Sequence, residues 1–203
     1  MTGAGTPQPV PADQSGASDG RRQRSERSRT QIIDAMFSLI REGDMSPSAA
    51  RVAERAQVGL RTVFRHFEDM DSLFAQMAER MSGEILPMVL APLQAQDWRG
   101  RLAEHAGRRI AIYEAVMAVR VAANLRRFQS HFLMEEYRCN LLIERASLAA
   151  VLPEEISCDP VLFAAIETAV SFQTWRRLRQ DCGLSPEAAG AAFRLMLERI
   201  VGP

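Results

Sequence analysis

The residues best suited to chemistry lie in one short stretch, Leu60 to Phe67, where Arg61, Thr62, Arg65 and His66 alternate with apolar neighbours. Guanidinium forks fit guanine edges and phosphates, and a hydroxyl bonds a phosphate oxygen, so this set suits contact with nucleic acid. Helical spacing predicts that Val63, Phe64 and Phe67 face a core, leaving Leu60, Arg61, Thr62, Arg65 and His66 on the outer side. A second basic group, Arg21, Arg22, Arg24, Arg27 and Arg29, is opposed only by Glu26. All 25 basic residues are Arg, and 25 acids bring the net charge to zero. Attraction to phosphate follows local rather than net charge, so the clusters matter more than the balance.

Nothing comparable points to catalysis. There is no GxSxG, glycine-rich phosphate loop, HExxH, or Cys–His arrangement with an orienting partner. The expectation is a protein that is not an enzyme, with no catalytic residues, no metal and no cofactor. Cys139, Cys158 and Cys182 are odd in number and widely spaced, which argues against a disulfide framework. They read as buried thiols of a cytoplasmic protein.

The elements that must position the Arg cluster are marked by helix punctuation. Ser46-Pro47, Asp159-Pro160 and Ser185-Pro186 each pair a capping side chain with a proline that lacks the amide a first turn leaves unsatisfied. Gly43 and Gly183 fall where helices should stop. The resulting reading is all-α. It places helices over 25–42, 47–56 and 60–67, and a fourth from a cap at Asp69 through Met81, bent or ended near Pro87. Further helices are expected at about 98–112, 113–127, 130–151, 160–181 and 186–201. Residues 1–24, rich in Gly, Pro, Ser and Ala, read as a disordered tail. Residues 25–69 form a helix-turn-helix domain, and 70–203 a larger helical domain. No run of eighteen apolar residues occurs, so no membrane span or membrane partner is expected.

In the second helix Ala49, Val52, Ala53 and Ala56 make a small-residue face that lets a neighbour cross closely, as a helix-turn-helix requires. From Gln31 to Phe74 the chain resembles the DNA-binding domain of the TetR/AcrR transcriptional regulators. The resemblance rests on Gly43, Ala53-Glu54-Arg55-Ala56, Val58, Thr62-Val63-Phe64, Phe67 and Leu73. It implies that Thr62 and His66 contact the phosphate backbone while Leu60, Arg61 and Arg65 read bases. It also implies that Ser46 and Ser48 sit near a phosphate at a helix start, with Arg27 and Arg29 as contacts from the arm. Three features depart from the family. The usual Gly-Val-Ser turn is Gln57-Val58-Gly59, which forces Gln57 left-handed at about 1 kcal/mol. Gly59 is a weaker cap than Ser. Acidic Glu68-Asp69-Met70-Asp71 replaces the usual Lys.

For residues 70–203 the pattern gives a helical bundle. Val161, Leu162, Ala165, Ile166, Ala169 and Phe172 make one broad apolar face, and Ala189, Ala192, Phe193, Met196 and Ile200 another. The resemblance implies that these last helices pair across a two-fold axis, so Ile166, Ala169, Phe172, Ala189, Phe193, Met196 and Ile200 are the expected dimer interface. A pairing within one chain is the other reading of the same faces. The resemblance also implies a ligand cavity, for which Met81, Tyr113, Met117, Phe128, Phe132, Met134 and Trp175 are candidate lining residues. Each of these also reads as plain core. His105 and His131 are candidate polar anchors, and Arg120, Arg126 and Arg127 candidate partners for an acidic ligand or Glu114.

The expected function is that of a homodimeric repressor on a palindromic double-stranded DNA operator, released by a largely apolar small-molecule effector. The alternative is a helical small-molecule-binding protein with a vestigial DNA-binding motif, which the acidic 68–71 run favours. A protein-interaction adaptor is a third reading.

Overall fold

The computed structural model describes residues 15–202, and among them every regular element is helical. Helix α1 spans Ser15–Arg41, α2 Ala49–Arg55, α3 Leu60–His66 and α4 Met70–Leu90. They are followed by α5 at Trp98–Arg126, a 3-10 turn at Arg127–Gln129, α6 at His131–Ala149 and α7 at Glu154–Ser157. Then come α8 at Pro160–Ala169, α9 at Phe172–Arg176, a π-helical turn at Arg177–Asp181 and α10 at Pro186–Val201.

Most of the punctuation works as expected. Asp159 and Ser185 cap α8 and α10 with Pro in the first turn. Asp69 and Ser72 form a reciprocal capping box at the start of α4. Gly43 has φ 101° and Gly183 φ 65°, the left-handed values that end a helix cheaply in glycine.

Five boundaries differ. Helix α1 begins at Ser15, so residues 15–24 are helical; residues 1–14 of the expected tail lie outside the described residues. Once the buried Ile32–Ile40 part has formed, Arg and Gln at 21–24 extend a helix at little cost, while Gly16 and Gly20 make its first turns the least favourable. Helix α2 is capped by Ser48, whose Oγ accepts from the Arg51 amide, and not by Ser46, whose own amide donates to Asp44 Oδ1. Helix α5 is one piece where two were expected, since no Pro or Gly interrupts residues 108–126. The short α7 had no expectation. The expected 160–181 helix breaks at Val170, because Ser171 recaps the chain by accepting from the Thr174 amide.

Helix α5 is the axis of the body, touching α1, α4, α6, α9 and α10. Tyr113 meets Phe172 edge-on at 5.5 Å, and Trp175 meets Phe193 likewise at 5.8 Å. All four rings are fully buried, each worth roughly 1.5–3 kcal/mol of apolar burial.

This core takes up most of the residues expected at a dimer interface. Ile166, Ala169, Phe172, Ala189 and Phe193 are buried inside a single chain, where α8 packs on α10, and Met196 and Ile200 are half-buried there. A helix pair with broad apolar stripes satisfies itself first when its connection is short enough to fold back. The residues left outward include Val161, Ala164, Ala165 and Thr168 of α8 and, beside charged Arg194 and Glu198, Ala188, Ala191 and Leu195 of α10. The cysteines are corrected: all three are exposed. Among the described residues no helix is long and apolar enough to cross a membrane.

Candidate nucleic-acid interface and ligand cavity

The turn between α2 and α3 is a complete Schellman motif. Val58 donates to Ala53 O and Gln57 to Glu54 O, both at 3.0 Å, closing two carbonyls that the helix end would leave open. Gln57 has φ 55°, the left-handed conformation the sequence predicts. Gly59 then starts α3 from an extended conformation with no side-chain cap. Val52, Ala53 and Ala56 from α2 and Val63 and Phe67 around α3 are buried, which fixes the outward face of α3. A bidentate contact from Arg55 to Glu42, at 2.5 and 2.6 Å, with Ser38 beside it, ties α2 to α1. That contact holds the Glu42 carboxyl down to about 2.

The outward face carries more than was expected. Phe64 is 51% exposed, not in the core, and Leu60 is 45% exposed. In a seven-residue helix the core takes Val63 and Phe67, and Phe64 falls about 100° round from Val63. Leu60 and Phe64 therefore make one outer row and Arg61 and Arg65 the next. The signal was available: Leu60 already reads as exposed, and Phe64 lies four residues on. Guanidiniums beside apolar groups match a groove that offers acceptor edges and thymine methyls.

Among the remaining expected contacts, Arg27 is exposed, while Thr62 and Arg29 are half-buried, with the Arg29 guanidinium 5.8 Å over the Phe67 ring. Ser48 is occupied as a cap and Ser46 is exposed just before it. His66 is half-buried with Nε2 enclosed and unpartnered, and burial, then Arg65 and Arg29, push its pKa below the usual value. The acidic run has structural work: Asp69 caps α4, and Asp71 accepts from Ser130 Oγ at 2.6 Å and pairs with Arg126 at 3.4 Å.

In the body, α4, α5 and α6 enclose a cavity of about 230 Å³. Of the seven expected lining residues it includes Met81 and Tyr113. The other five lie outside it. Phe128 is 74% and Phe132 37% exposed, Met117 and Met134 are half-buried outside the cavity, and Trp175 is core, donating to Glu114 Oε2 at 3.0 Å. Aromatic and Met identity alone does not say which way a residue faces. The better signal is a stripe of mixed polarity at helical period: His105, Arg109, Ile112, Val116, Arg120 and Ala123 on α5, with Leu133, Tyr137, Asn140, Glu144 and Ser147 on α6.

Within that wall Arg120 pairs with Glu144 at 2.5 Å, not with Glu114, which is bound by Arg179. Arg127 stacks at 4.2 Å over Tyr137. His105 is buried, and its pKa is pushed down to about 3 by burial and then by Arg109 and Arg108. His131 is exposed, outside the cavity.

A crystal structure of a transcriptional regulator from Rhodococcus sp. Rha1 matches this arrangement over 87% of the present chain and 95% of its own, with a TM-score of 0.64. The two share a fold. Sequence identity between them is 22%, so the likeness is one of architecture and of helix order. No family model matches the chain, and no curated protein is similar enough to count as a match.

Proposed function

We propose that this chain is a transcriptional regulator of the TetR/AcrR type, which binds a palindromic operator as a dimer and is released by a small molecule. The observation that carries the reading is the outward face of α3. Leu60, Arg61, Phe64 and Arg65 project from a short helix whose entry is locked by the Schellman turn and whose inner side is buried. The regulator fold of the Rhodococcus protein supports the same reading, and a DNA partner implies a cytoplasmic site of action.

Two copies on a two-fold axis would set two such helices in successive major grooves, about 34–36 Å apart. The dimer contact is assigned to the outward side of α8 and α10, through Val161, Ala165, Ala191 and Leu195, since the inner side is occupied within the chain. The cavity between α4, α5 and α6 is the effector site, and effector and operator affinities oppose each other by linkage. The acidic run that favoured a carrier with a vestigial motif is accounted for by α4 capping and the Asp71 contacts.

The test is a gel shift with DNA from upstream of the protein's own gene, against a scrambled duplex of equal length. Retention of the upstream DNA that falls steeply with salt is expected, because Arg contacts displace counterions. Equal retention of both duplexes, or of neither, refutes the assignment.

A further inference from the structure

We propose that the cavity takes a small organic anion, an apolar body ending in a carboxylate whose head group lies beside Arg108, Arg109 and His105. This deepens the effector reading and rests on it for its regulatory meaning, though not for the binding itself.

One part of the cavity wall is rich in hydrogen-bond donors. Arg108 donates to the carbonyls of Val89, at 3.0 Å, and Ala91 at the end of α4. Arg109 donates to the carbonyls of Val170, at 2.9 Å, and Glu144, and to Ser147 Oγ at 3.3 Å, and His105 Nε2 lies 3.3 Å from the same hydroxyl. These contacts gather two guanidiniums, an imidazole and a hydroxyl there. The rest of the wall mixes apolar Met81, Val116 and Leu133 with polar Arg120, Asn140 and Glu136.

Arg109 is only 5% exposed. Its acceptors are carbonyl and hydroxyl dipoles, which satisfy donors without neutralising the charge. Among the described residues no carboxylate stands within ion-pair distance of Arg108 or Arg109, and the nearby Glu144 is paired with Arg120. The other carboxyl in the wall, Glu136, lies eleven residues before Ser147 on α6, about 16 Å along the helix at 1.5 Å per residue. Burial pushes its pKa up, toward the neutral form. The low pKa of His105, caused after burial by Arg109 and Arg108, reports the same positive field. A cation is repelled there, and a neutral ligand leaves the buried charge unanswered. A cavity of about 230 Å³ suits a short-chain or single-ring acid.

The experiment is calorimetric titration of the full chain at pH 7 with octanoate and 3-phenylpropanoate, each beside the matching alcohol and amine. Acids binding at least tenfold tighter than alcohols, with amines weakest, is the expected order. Arg108→Gln should weaken acid binding at least tenfold, whereas Arg138→Gln, on the exposed side of α6, should not. Arg108 carries this arm because loss of Arg109 endangers folding. Alcohols equal to acids, tighter amines, no acid binding at millimolar concentration, or an Arg108→Gln chain that binds acids as before would each overturn the proposal. A gel shift with the same acids separates the two readings. Acid binding that leaves operator retention untouched keeps the anion site and removes the effector role.

Discussion

In the head of the molecule Arg27, Arg61 and Arg65 stand in solvent and form no ion pair with any other described residue. In the body Arg109, Arg120 and Arg179 are turned inward, onto carbonyls, Glu144 and Glu114. The same side chain is thus left available at one end and fastened at the other. An exposed guanidinium keeps its fork for an external phosphate or base edge at almost no cost to folding. A buried one becomes part of the core's polar accounting, and removing it strands its acceptors.

That contrast is broken or sharpened by substitution. Arg109→Leu should have the largest effect, about 2–4 kcal/mol of lost stability in urea unfolding, since buried carbonyls at Val170 and Glu144 lose their donor. A loss below about 1 kcal/mol would mean that water replaces the guanidinium, and that the body's arginines are less committed than the contacts imply. Arg61→Ala should do the opposite, changing stability by less than about 0.5 kcal/mol while costing about 1–3 kcal/mol of operator affinity at one base position. Thr62→Ala, measured alongside, should weaken all sequences alike, as a phosphate contact does.

The next effect is smaller and reverses sign. Gln57→Gly relieves a left-handed non-glycine residue and should stabilise by about 0.5–1 kcal/mol at fixed protein concentration. Gly59→Ser should add a few tenths of a kcal/mol as a cap, the nearest atom to a new Cβ being Thr62 Oγ1 at 3.9 Å. Smallest of all is the exposed Glu42–Arg55 contact. The Glu42 carboxyl is held at about 2 against an ordinary 4.5, so its contribution is full above pH 4.5 and fades as pH falls toward 2. Glu42→Gln should flatten the thermal midpoint over that window, and added salt should mask the difference.

The two regions also differ in how far the sequence announces them. Head geometry follows from local chemistry: a glycine stop at Gly43, a small-residue face on α2, and a Gln where the turn needs positive φ. Phe64 faces outward in register with Leu60 although an aromatic suggests core, Ser48 and not Ser46 caps α2, and α1 begins ten residues before Ser25. In the body the helices were legible but their faces were not. Ile166 and Phe193 belong to apolar stripes that could close within a chain or across an axis, and periodicity is identical in both cases. Phe128 and Trp175 have the composition of a pocket wall, yet one lies at the surface and the other in the core. The residues that do wall the cavity include His105, which the sequence offers as a candidate polar anchor, and Arg109, which no apolar or aromatic pattern singles out.

The continuity of α5 has a mechanical side. Its 29 residues make a rod of about 43 Å at 1.5 Å per residue, in contact with α1 of the head and with α10. From Arg108 to Arg126 it contains neither Pro nor Gly, so it has no joint in which a displacement could be absorbed. Had the helix been broken near 112, as two separate segments would have been, pressure from the cavity could have died out within one of them. As a single lever of about 28 Å, the stretch from Arg108 to Arg126 turns a tilt of 5° about one end into about 2.5 Å at the other, roughly half of one turn's pitch.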